Sequence, residues 1–340
     1  MRRLRVLYAG SPLASAMVLK KLLAASEAHG YEICGVLTNP PSSRGRHKEL
    51  IPTEVAQAAE AAGLPVYAFD RLRTEAREAL APLGADLLVS FDYGRIFGPK
   101  FLALFPLGGV NLHPSALPRY RGCTPVPAAI LTGDGELGVC LQKLALETDT
   151  GDILARASLP LTGQETTRSL MDGDGLSSPV TDCGWALIDG LLGSMVQAAA
   201  GSAPDEADTA APCPFALPAG SPQAGEASYT PFIAKEDGRI DWKQPAAAIH
   251  RKIRAYTPWP LCYTSANGTN LLILQAQVGS GRTDAAPGTV LPYRKAVGVE
   301  IACGDGNIIV ASELQWQSKK AMDYKSFMNG ARNFIGSTLE

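Results

Sequence analysis

The polar residues with the most chemical potential in this chain fall within one short segment, VNLHPSALPRYRG. Asn111 and His113 stand two positions apart in it, at the end of a run (Gly109–His113) that is typical of a β-strand. Side chains two apart on a strand point to the same face. An amide N–H and a protonated imidazole on one face can stabilise the oxyanion of a tetrahedral intermediate, which is the chemistry of acyl transfer.

A second polar segment, Glu147 to Asp152, places carboxylates in a glycine-containing turn between two apolar runs. A carboxylate there can orient an imidazole, keep it charged and help to remove a proton from an attacking amine. The structural interpretation is also open. A histidine at a strand end is more often structural than catalytic, and Asn111, Asp149 and Asp152 could be turn or cap residues.

The elements that must position these residues alternate between strands and helices over the first ~160 residues. The pattern predicts strands at Leu4–Ala9, Glu32–Thr38, Leu64–Phe69, Asp86–Phe91 and Gly109–His113, with helices at Leu13–Ala25, Thr53–Ala62, Arg71–Ala81 and Pro99–Leu104. Such alternation predicts a Rossmann-like α/β fold with a parallel sheet, whose ligands bind beyond the carboxyl ends of the strands. The first turn, Ala9 to Pro12, has only one of the three glycines of a dinucleotide fingerprint.

The residue composition and the pattern of predicted elements change twice in the second half of the chain. Residues 200–228 are rich in Ala, Pro, Gly and Ser without periodicity, which is typical of a linker. From Tyr229 onward, short strands broken by turn residues predict a small antiparallel barrel, with strands at Cys262–Ala266, Asn270–Ala276, Gly288–Val290, Gly298–Ala302 and Ile308–Ala311. We therefore expect a catalytic domain at 1–199, a linker at 200–228 and a second domain at 229–340.

Composition limits the class of protein, its cellular location and its partners. With 46% hydrophobic and 19% charged residues among 340, the chain has the composition of a folded soluble protein, and no apolar run of ~18 residues predicts a membrane span. The seven cysteines stand singly, which argues against a disulfide framework or a zinc site and favours a cytoplasmic location. The net charge is −2, yet residues 229–340 hold 13 Lys and Arg against 9 Asp and Glu. This asymmetry weakly indicates a polyanionic partner.

The motif Asn-x-His-x-Ser-x-Leu-Pro-x-x-Arg-Gly, with Asp149 following 38 positions after Asn111, resembles the signature of the folate-dependent formyltransferases. Segments of the second half, including Arg251–Pro260 and Phe327–Gly330, are similar to methionyl-tRNA formyltransferases. Apart from the segment near 200–228, the resemblance covers essentially the whole chain. It implies an oligonucleotide-binding-like β-barrel as the C-terminal domain.

The resemblance implies Asn111, His113 and Asp149 as the catalytic trio and 10-formyltetrahydrofolate as the formyl donor, without a metal. The implied folate contacts are the loop Ser115, Ala116, Leu117 and Pro118, and the pteridine border Tyr93, Gly94, Arg95 and Ile96. Ala116 departs from the family pattern, which usually has a leucine there, and this leaves more space beside the folate.

The loop from Pro40 to Lys48 resembles the basic insertion that enters the acceptor stem of initiator tRNA in these enzymes. Arg44, Arg46 and Lys48 are then the implied tRNA contacts, on a Gly-, Pro- and Ser-rich segment. Without the resemblance, an ordinary solvated loop would be the simpler interpretation. The implied partners are methionyl initiator tRNA and a reduced folate, with a monomeric enzyme and no membrane.

Three other functions remain to be weighed. A sugar-nucleotide N-formyltransferase would share the trio and the folate loop, but the basic loop and the C-terminal charge favour tRNA. A non-catalytic RNA-binding protein would have no reason to keep an Asn/His/Asp set. Glycinamide ribonucleotide formyltransferase is disfavoured because it normally lacks a second domain of this size.

Overall fold

The computed structural model describes residues 2–44, 49–201, 213–294, 297–331 and 333–340. The α-helices are α1 (Leu13–His29), α2 (Glu54–Ala61), α3 (Thr74–Leu80), α4 (Pro99–Leu102), α5 (Pro125–Thr132), α6 (Thr167–Met171), α7 (Pro179–Gly201), α8 (Ala246–Ala255) and α9 (Tyr324–Gly330). The strands are β1 (Leu4–Ala9), β2 (Tyr31–Thr38), β3 (Ser42–Arg44), β4 (Glu49–Ile51), β5 (Val66–Ala68), β6 (Leu87–Ser90), β7 (Gly109–His113), β8 (Arg121–Gly122), β9 (Glu136–Lys143), β10 (Ile153–Pro160), β11 (Tyr229–Thr230), β12 (Cys262–Ala266), β13 (Thr269–Arg282), β14 (Val299–Ala302), β15 (Asn307–Trp316) and β16 (Met322–Asp323).

The chain separates into two compact units. The first comprises Met1–Pro125, Glu136–Pro160 and Ser169–Thr230, and the second comprises Val126–Gly135, Leu161–Arg168 and Pro231–Glu340. Residues 213–228, the described part of the segment that the sequence suggests as a linker, are therefore grouped with the first unit.

The first unit is built on a seven-stranded sheet in the order β10-β9-β7-β6-β1-β2-β5. The five strands from β7 to β5 run parallel to one another, which confirms the predicted α/β fold. Two further strands extend it, with β9 antiparallel to β7 and β10 antiparallel to β9. The central strand β6 is buried along its whole length, as parallel strands covered on both faces are.

Local sequence signals place most of these elements well. The predicted bounds of β1 and β7 match those observed. Thr53 caps α2, its hydroxyl accepting from the Ala56 N–H at 3.1 Å. The strand predicted from Leu64 begins only at Val66. The reason is that the Leu64 N–H donates to the Ala59 carbonyl and still belongs to the end of the preceding helix.

An aromatic ladder supports the segment that follows β6. Tyr93, Phe97, Phe101 and Phe105 recur every four residues, and successive ring centroids lie 5.3, 5.6 and 5.8 Å apart. All four side chains are buried in one cluster with residues of β1, β2 and β6. This packing holds the loop between Tyr93 and Phe97 against the carboxyl edge of the sheet.

Helix α7 has the length and apolar composition that a membrane-crossing helix requires. Core helices of soluble proteins meet the same test, so the feature is weak evidence for a span. In the first unit α7 packs along α1 and buries Ile188, Leu192 and Met195. Helix α7 thus buries one face within the first unit.

The second unit contains an antiparallel sheet in the order β12-β13-β15-β14, with β16 paired to β15. Strand β12 has the predicted bounds, whereas β13 continues from Thr269 to Arg282 and is longer than expected. The strand predicted at Gly288–Val290 is wrong, because Thr289 and Val290 form only isolated bridges. Gly288 there has a φ of 87°, which no regular strand residue adopts.

Candidate active site

Strand β7 carries two of the candidate residues to the carboxyl edge of the sheet. Asn111 lies between Ser90 of β6 and Gln142 of β9, and His113 lies opposite Cys140. Asn111 is half-buried, whereas His113 is only 4% exposed. Asn111 thus has a parallel neighbour on one side and an antiparallel one on the other, whereas His113 is paired with β9 alone.

The imidazole of His113 is held at Nε2, and its Nδ1 faces a carboxylate. Nε2 donates to the backbone oxygen of Tyr120 at 2.8 Å, and Nδ1 lies 3.6 Å from Oδ2 of Asp149. The second distance is too long for a hydrogen bond. Since Nε2 carries its proton toward the Tyr120 carbonyl, Nδ1 is the nitrogen that can exchange a proton on the Asp149 side.

Asp149 has a left-handed backbone with a φ of 55°. Aspartate is one of the few residues with a Cβ that adopts this conformation. Its carboxylate accepts two hydrogen bonds of 2.8 Å, one at Oδ1 from Gln142 Nε2 and one at Oδ2 from the Gly122 N–H. The direction of the carboxylate is therefore set by β8 and β9 rather than by its own loop.

Gly151 allows the Asp149 loop to return to the sheet. A Cβ at this position would lie 1.8 Å from the backbone oxygen of Lys143. The neighbouring Lys143 N–H donates to the Asp152 carbonyl at 2.9 Å. Glycine is therefore required by close backbone approach at this point of the loop.

Asn111 and Asp149 open onto one cavity of about 120 Å³. Its lining residues are Ser90, Arg95, Ile96, Phe97, Asn111, Gln142, Lys143, Leu144, Ala145, Leu146, Glu147, Thr148 and Asp149. Two of the apolar side chains are unusually exposed, Ile96 by 78% and Leu146 by 69%. The cavity thus combines carboxylate and amide groups with an uncovered apolar rim.

The Tyr93 to Ile96 segment is tied to the loops beside it. The Arg95 guanidinium donates to the side chain of Asn39 and to the Asp70 carbonyl, and Asn39 Nδ2 donates to the Tyr93 carbonyl at 2.8 Å. Burial raises the pKa of Tyr93 to about 12, with the charge of Arg95 opposing the shift. The Tyr93 hydroxyl has no hydrogen-bond partner in the part of the chain that the structure describes.

The Ser115 to Pro118 loop is pinned close to His113. Ser115 donates from its N–H to the His113 carbonyl at 2.8 Å and from its hydroxyl to the Arg119 carbonyl at 2.7 Å. Leu117 is buried against Cys140 and Ile153, so it serves the core, whereas Ala116 is exposed. These contacts give the loop a fixed shape.

Two family models match this chain. The one described as "Formyl transferase" matches residues 2–173, which is more than half of the chain, and "Formyl transferase, C-terminal domain" matches residues 232–332. The chain belongs to the formyltransferase family. The predicted resemblance to this family is confirmed.

Curated relatives extend the family match to nearly the full length. A protein of Treponema denticola named methionyl-tRNA formyltransferase is 38% identical over 350 residues, which covers 99% of this chain and all of the relative. A protein of the same name from Treponema pallidum is 40% identical over 340 residues, covering 96% of each chain. The similarity to methionyl-tRNA formyltransferases expected from the sequence is thereby confirmed.

Solved structures share the fold of this formyltransferase at lower identity. HypX from Aquifex aeolicus, in complex with tetrahydrofolic acid, is 17% identical with a TM-score of 0.59, covering 97% of this chain and 48% of that one. This chain therefore spans about half the length of HypX. An N-formyltransferase from Helicobacter canadensis, in complex with folinic acid and dTDP-3-aminofucose, is 18% identical with a TM-score of 0.56, covering 90% of this chain and 98% of that one.

The predicted tRNA contacts are described only in part. Arg44 ends β3 in the hairpin with β4, while Arg46 and Lys48 lie outside the described residues. All seven cysteines are free thiols. Among the described residues, no cluster of His, Cys, Asp and Glu is arranged to hold a metal ion.

Sequence reasoning missed three residues beside the trio. Gln142 is 1% exposed, and its signal was a single amide within the apolar run of β9. Tyr120 contributes only its backbone oxygen to His113, so its side chain carries no signal for this contact. Gln223 lies in the irregular segment before β11 and had no local signal either.

Proposed function

We propose that this formyltransferase moves the formyl group of 10-formyltetrahydrofolate to the α-amino group of methionyl initiator tRNA, giving formylmethionyl-tRNA for translation initiation. The observation that carries the proposal is the meeting of Asn111, His113 and Asp149 at one edge of the sheet. That meeting occurs in a chain whose relatives named methionyl-tRNA formyltransferase match it nearly end to end.

The proposed roles rest on the residue types and on their shared place at the edge of the sheet. The Asn111 amide and a protonated His113 donate to the formyl oxygen as negative charge builds on it, which is the costly part of the reaction. An α-amino group titrates near ~7.7–8.0, so part of it is already neutral at neutral pH and a strong base is unnecessary. Asp149 orients His113 and accepts the proton of the attacking amine through water. As the tetrahedral intermediate collapses, the bond between the formyl carbon and N10 breaks, and this proton passes through water to N10 of the departing tetrahydrofolate.

The cavity beside the trio suits the flat heterocycle of the formyl donor. A ring bound there would cover the exposed side chains of Ile96 and Leu146, which gives an apolar driving force. We propose that Tyr93, Gly94, Arg95 and Ile96 border this ring. The proposed contacts on the side of His113 come from the Ser115 to Pro118 loop.

The tRNA half of the proposal rests on the basic loop and on the second domain. Arg44, Arg46 and Lys48 are proposed to contact the acceptor stem through phosphates, because cationic side chains pair with phosphate oxygens and displace counterions there. Residues 1–199 would form the catalytic domain and residues 229–340 the tRNA-binding domain, joined through 200–228. We further propose that the enzyme acts as a monomer in the cytoplasm, away from membranes.

The experiment that tests the function offers three acceptors to the same enzyme. Formyl transfer from 10-formyltetrahydrofolate is measured with charged initiator Met-tRNA, charged elongator Met-tRNA and amino-sugar nucleotides. Rapid transfer to initiator Met-tRNA that disappears in His113→Ala supports both the acceptor and the site. Transfer to a sugar nucleotide but not to tRNA overturns the acceptor and leaves the trio in place.

A further inference from the structure

Residues 221–230 form a largely irregular segment that contacts the Asp149 loop. Ser221 exchanges two backbone hydrogen bonds with Ile153 of β10, of 2.8 and 2.9 Å, which form an isolated antiparallel bridge. At its far end Thr230 of β11 accepts from the Thr124 N–H and donates to the Arg121 carbonyl, both at 3.1 Å. Residues 221–230, called the strap below, are thus anchored at both ends within the first unit.

Gln223 is the residue of the strap that reaches the candidate active site. Its Nε2 donates to the backbone oxygens of Asp149 at 2.8 Å and Gly151 at 2.9 Å, with a weaker contact to Gln142 Oε1 at 3.4 Å. Its Oε1 accepts from Nε and Nη2 of Arg121 at 3.1 and 2.7 Å. One side-chain amide therefore joins the Asp149 loop to strand β8.

The hydrogen bonds of Gln223 to the Asp149 loop and to Arg121 lie on either side of the hydrogen bond that orients the Asp149 carboxylate. Gly122, the residue after Arg121, donates its N–H to Asp149 Oδ2, the oxygen that lies 3.6 Å from His113 Nδ1. Gln223 holds the backbone on the Asp149 side and the side chain of the residue before Gly122 on the other. Asp149 has a φ of 55°, and the hydrogen bond from Gln223 to its carbonyl holds this part of the backbone in place.

We propose that Gln223 is a positioning residue for formyl transfer: its amide keeps the Asp149 loop and Arg121 together so that Oδ2 faces His113. The inference rests on the proposed function. Gln223 lies outside the cavity lining, so it acts through Asp149 and not on the substrates. Misplacing a reacting group by ~1 Å can cost about 10²-fold in rate, which sets the scale of the expected effect.

The test compares three variants in steady-state transfer to initiator Met-tRNA. Gln223→Met keeps the length of the side chain and removes every polar contact, and kcat is expected to fall about 10- to 100-fold with the KM for the folate nearly unchanged. Gln223→Glu keeps the acceptor for Arg121 but sets a carboxylate against two carbonyl oxygens, so it is expected to rescue nothing. Gln197→Met, an exposed change on α7, is the matched control and should behave as wild type.

A double-mutant cycle separates positioning from loss of structure. If Gln223 acts through Asp149, then Gln223→Met should add little to the effect of Asp149→Asn. Additive losses, or a kcat for Gln223→Met within a few-fold of wild type, would overturn the inference. A wild-type chain that transfers no formyl group to Met-tRNA would instead overturn the proposed function, which keeps the two failures distinct.

Discussion

The backbone N–H of Gly122 donates to Oδ2 of Asp149 at 2.8 Å, across 27 residues of sequence. The other carboxylate oxygen accepts from Gln142 at the same distance. Asp149 is thus held by one donor on each oxygen, and the oxygen bound to Gly122 is the one that faces the imidazole of His113.

Asp149→Asn should lower turnover by about 10²–10⁴-fold without unfolding the protein. Asparagine tolerates a left-handed backbone, so the loop can keep its shape. Its amide has only one acceptor oxygen, and its NH₂ group must face either Gly122 or Gln142, both of which donate. Single-turnover formyl transfer and a thermal melt measure the two effects. Asp152→Asn, in the same loop, is the control, and equal losses in both variants would contradict the role of Asp149.

Asn111→Ala should reduce kcat by about 10²–10³-fold, the usual cost of removing one oxyanion donor. The residue is only half-buried at the end of β7, so the cavity left behind is open to water and stability should change little. The measurement is kcat and KM with both substrates varied. A rise in KM with kcat intact would mean that Asn111 binds the ground state and does not serve the transition state.

Gly151→Ala should damage the site through the backbone. The added Cβ would meet the Lys143 carbonyl at 1.8 Å, so the Asp149 loop must move away from β9. We expect turnover to fall at least about 10-fold and the free energy of unfolding to fall by about 1–3 kcal/mol.

Gly190→Ala on α7 provides the matched control for this backbone change. No atom lies within 4 Å of its added Cβ, and alanine should raise the free energy of unfolding by about 0.5–1 kcal/mol. Urea unfolding of both variants measures the contrast. Equal stability in the two would refute the steric argument.

His250 should make the second unit less stable in mild acid. Burial, with the nearby charges of Arg254 and Arg251, lowers the pKa of His250 to about 4, although a backbone hydrogen bond at Ala276 opposes the shift. An unfolded histidine titrates near ~6.5. Between these values the unfolded chain binds a proton that the folded chain does not, so the free energy of unfolding falls as pH falls through this window. Above about pH 6.5 the neutral histidine costs nothing.

The measurement for His250 is urea unfolding from about pH 7 to about pH 4, for wild type and His250→Gln. The variant cannot titrate in this range, and its amide can still donate to the Ala276 carbonyl. Wild type should therefore lose more stability than His250→Gln over the window. Parallel pH curves would show that His250 is not the group responsible.

The salt dependence of tRNA affinity should show whether the loop from Pro40 to Lys48 contacts phosphates. If Arg46 and Lys48 each contact a phosphate, the double change to alanine should raise the KM for tRNA and reduce the slope of log affinity against log salt by about two. The KM for the folate should not change. Lys20→Ala with Lys100→Ala removes two exposed charges elsewhere and is the control. An unaltered slope in the Arg46 and Lys48 variant would leave the loop as an ordinary solvated segment.

The sequence by itself determined much of the fold and part of the site. Two-residue periodicity and the turn after it placed β7 at its observed bounds, with Asn111 and His113 on one face. Both conclusions depend only on neighbours along the chain. The motif indicated the family, and the strand-helix alternation predicted the parallel part of the sheet.

Tertiary structure alone decided how these residues are held. The pairing of β9 against β7 sets Gln142 opposite Asn111 and within reach of Asp149. The strap brings Gln223 to Asp149 across 74 residues. No local pattern encodes such contacts, because they depend on strand order, register and backbone hydrogen bonds that form only when distant segments pack together. The sequence therefore indicated which residues could do the chemistry, whereas the tertiary structure set their positions and orientations.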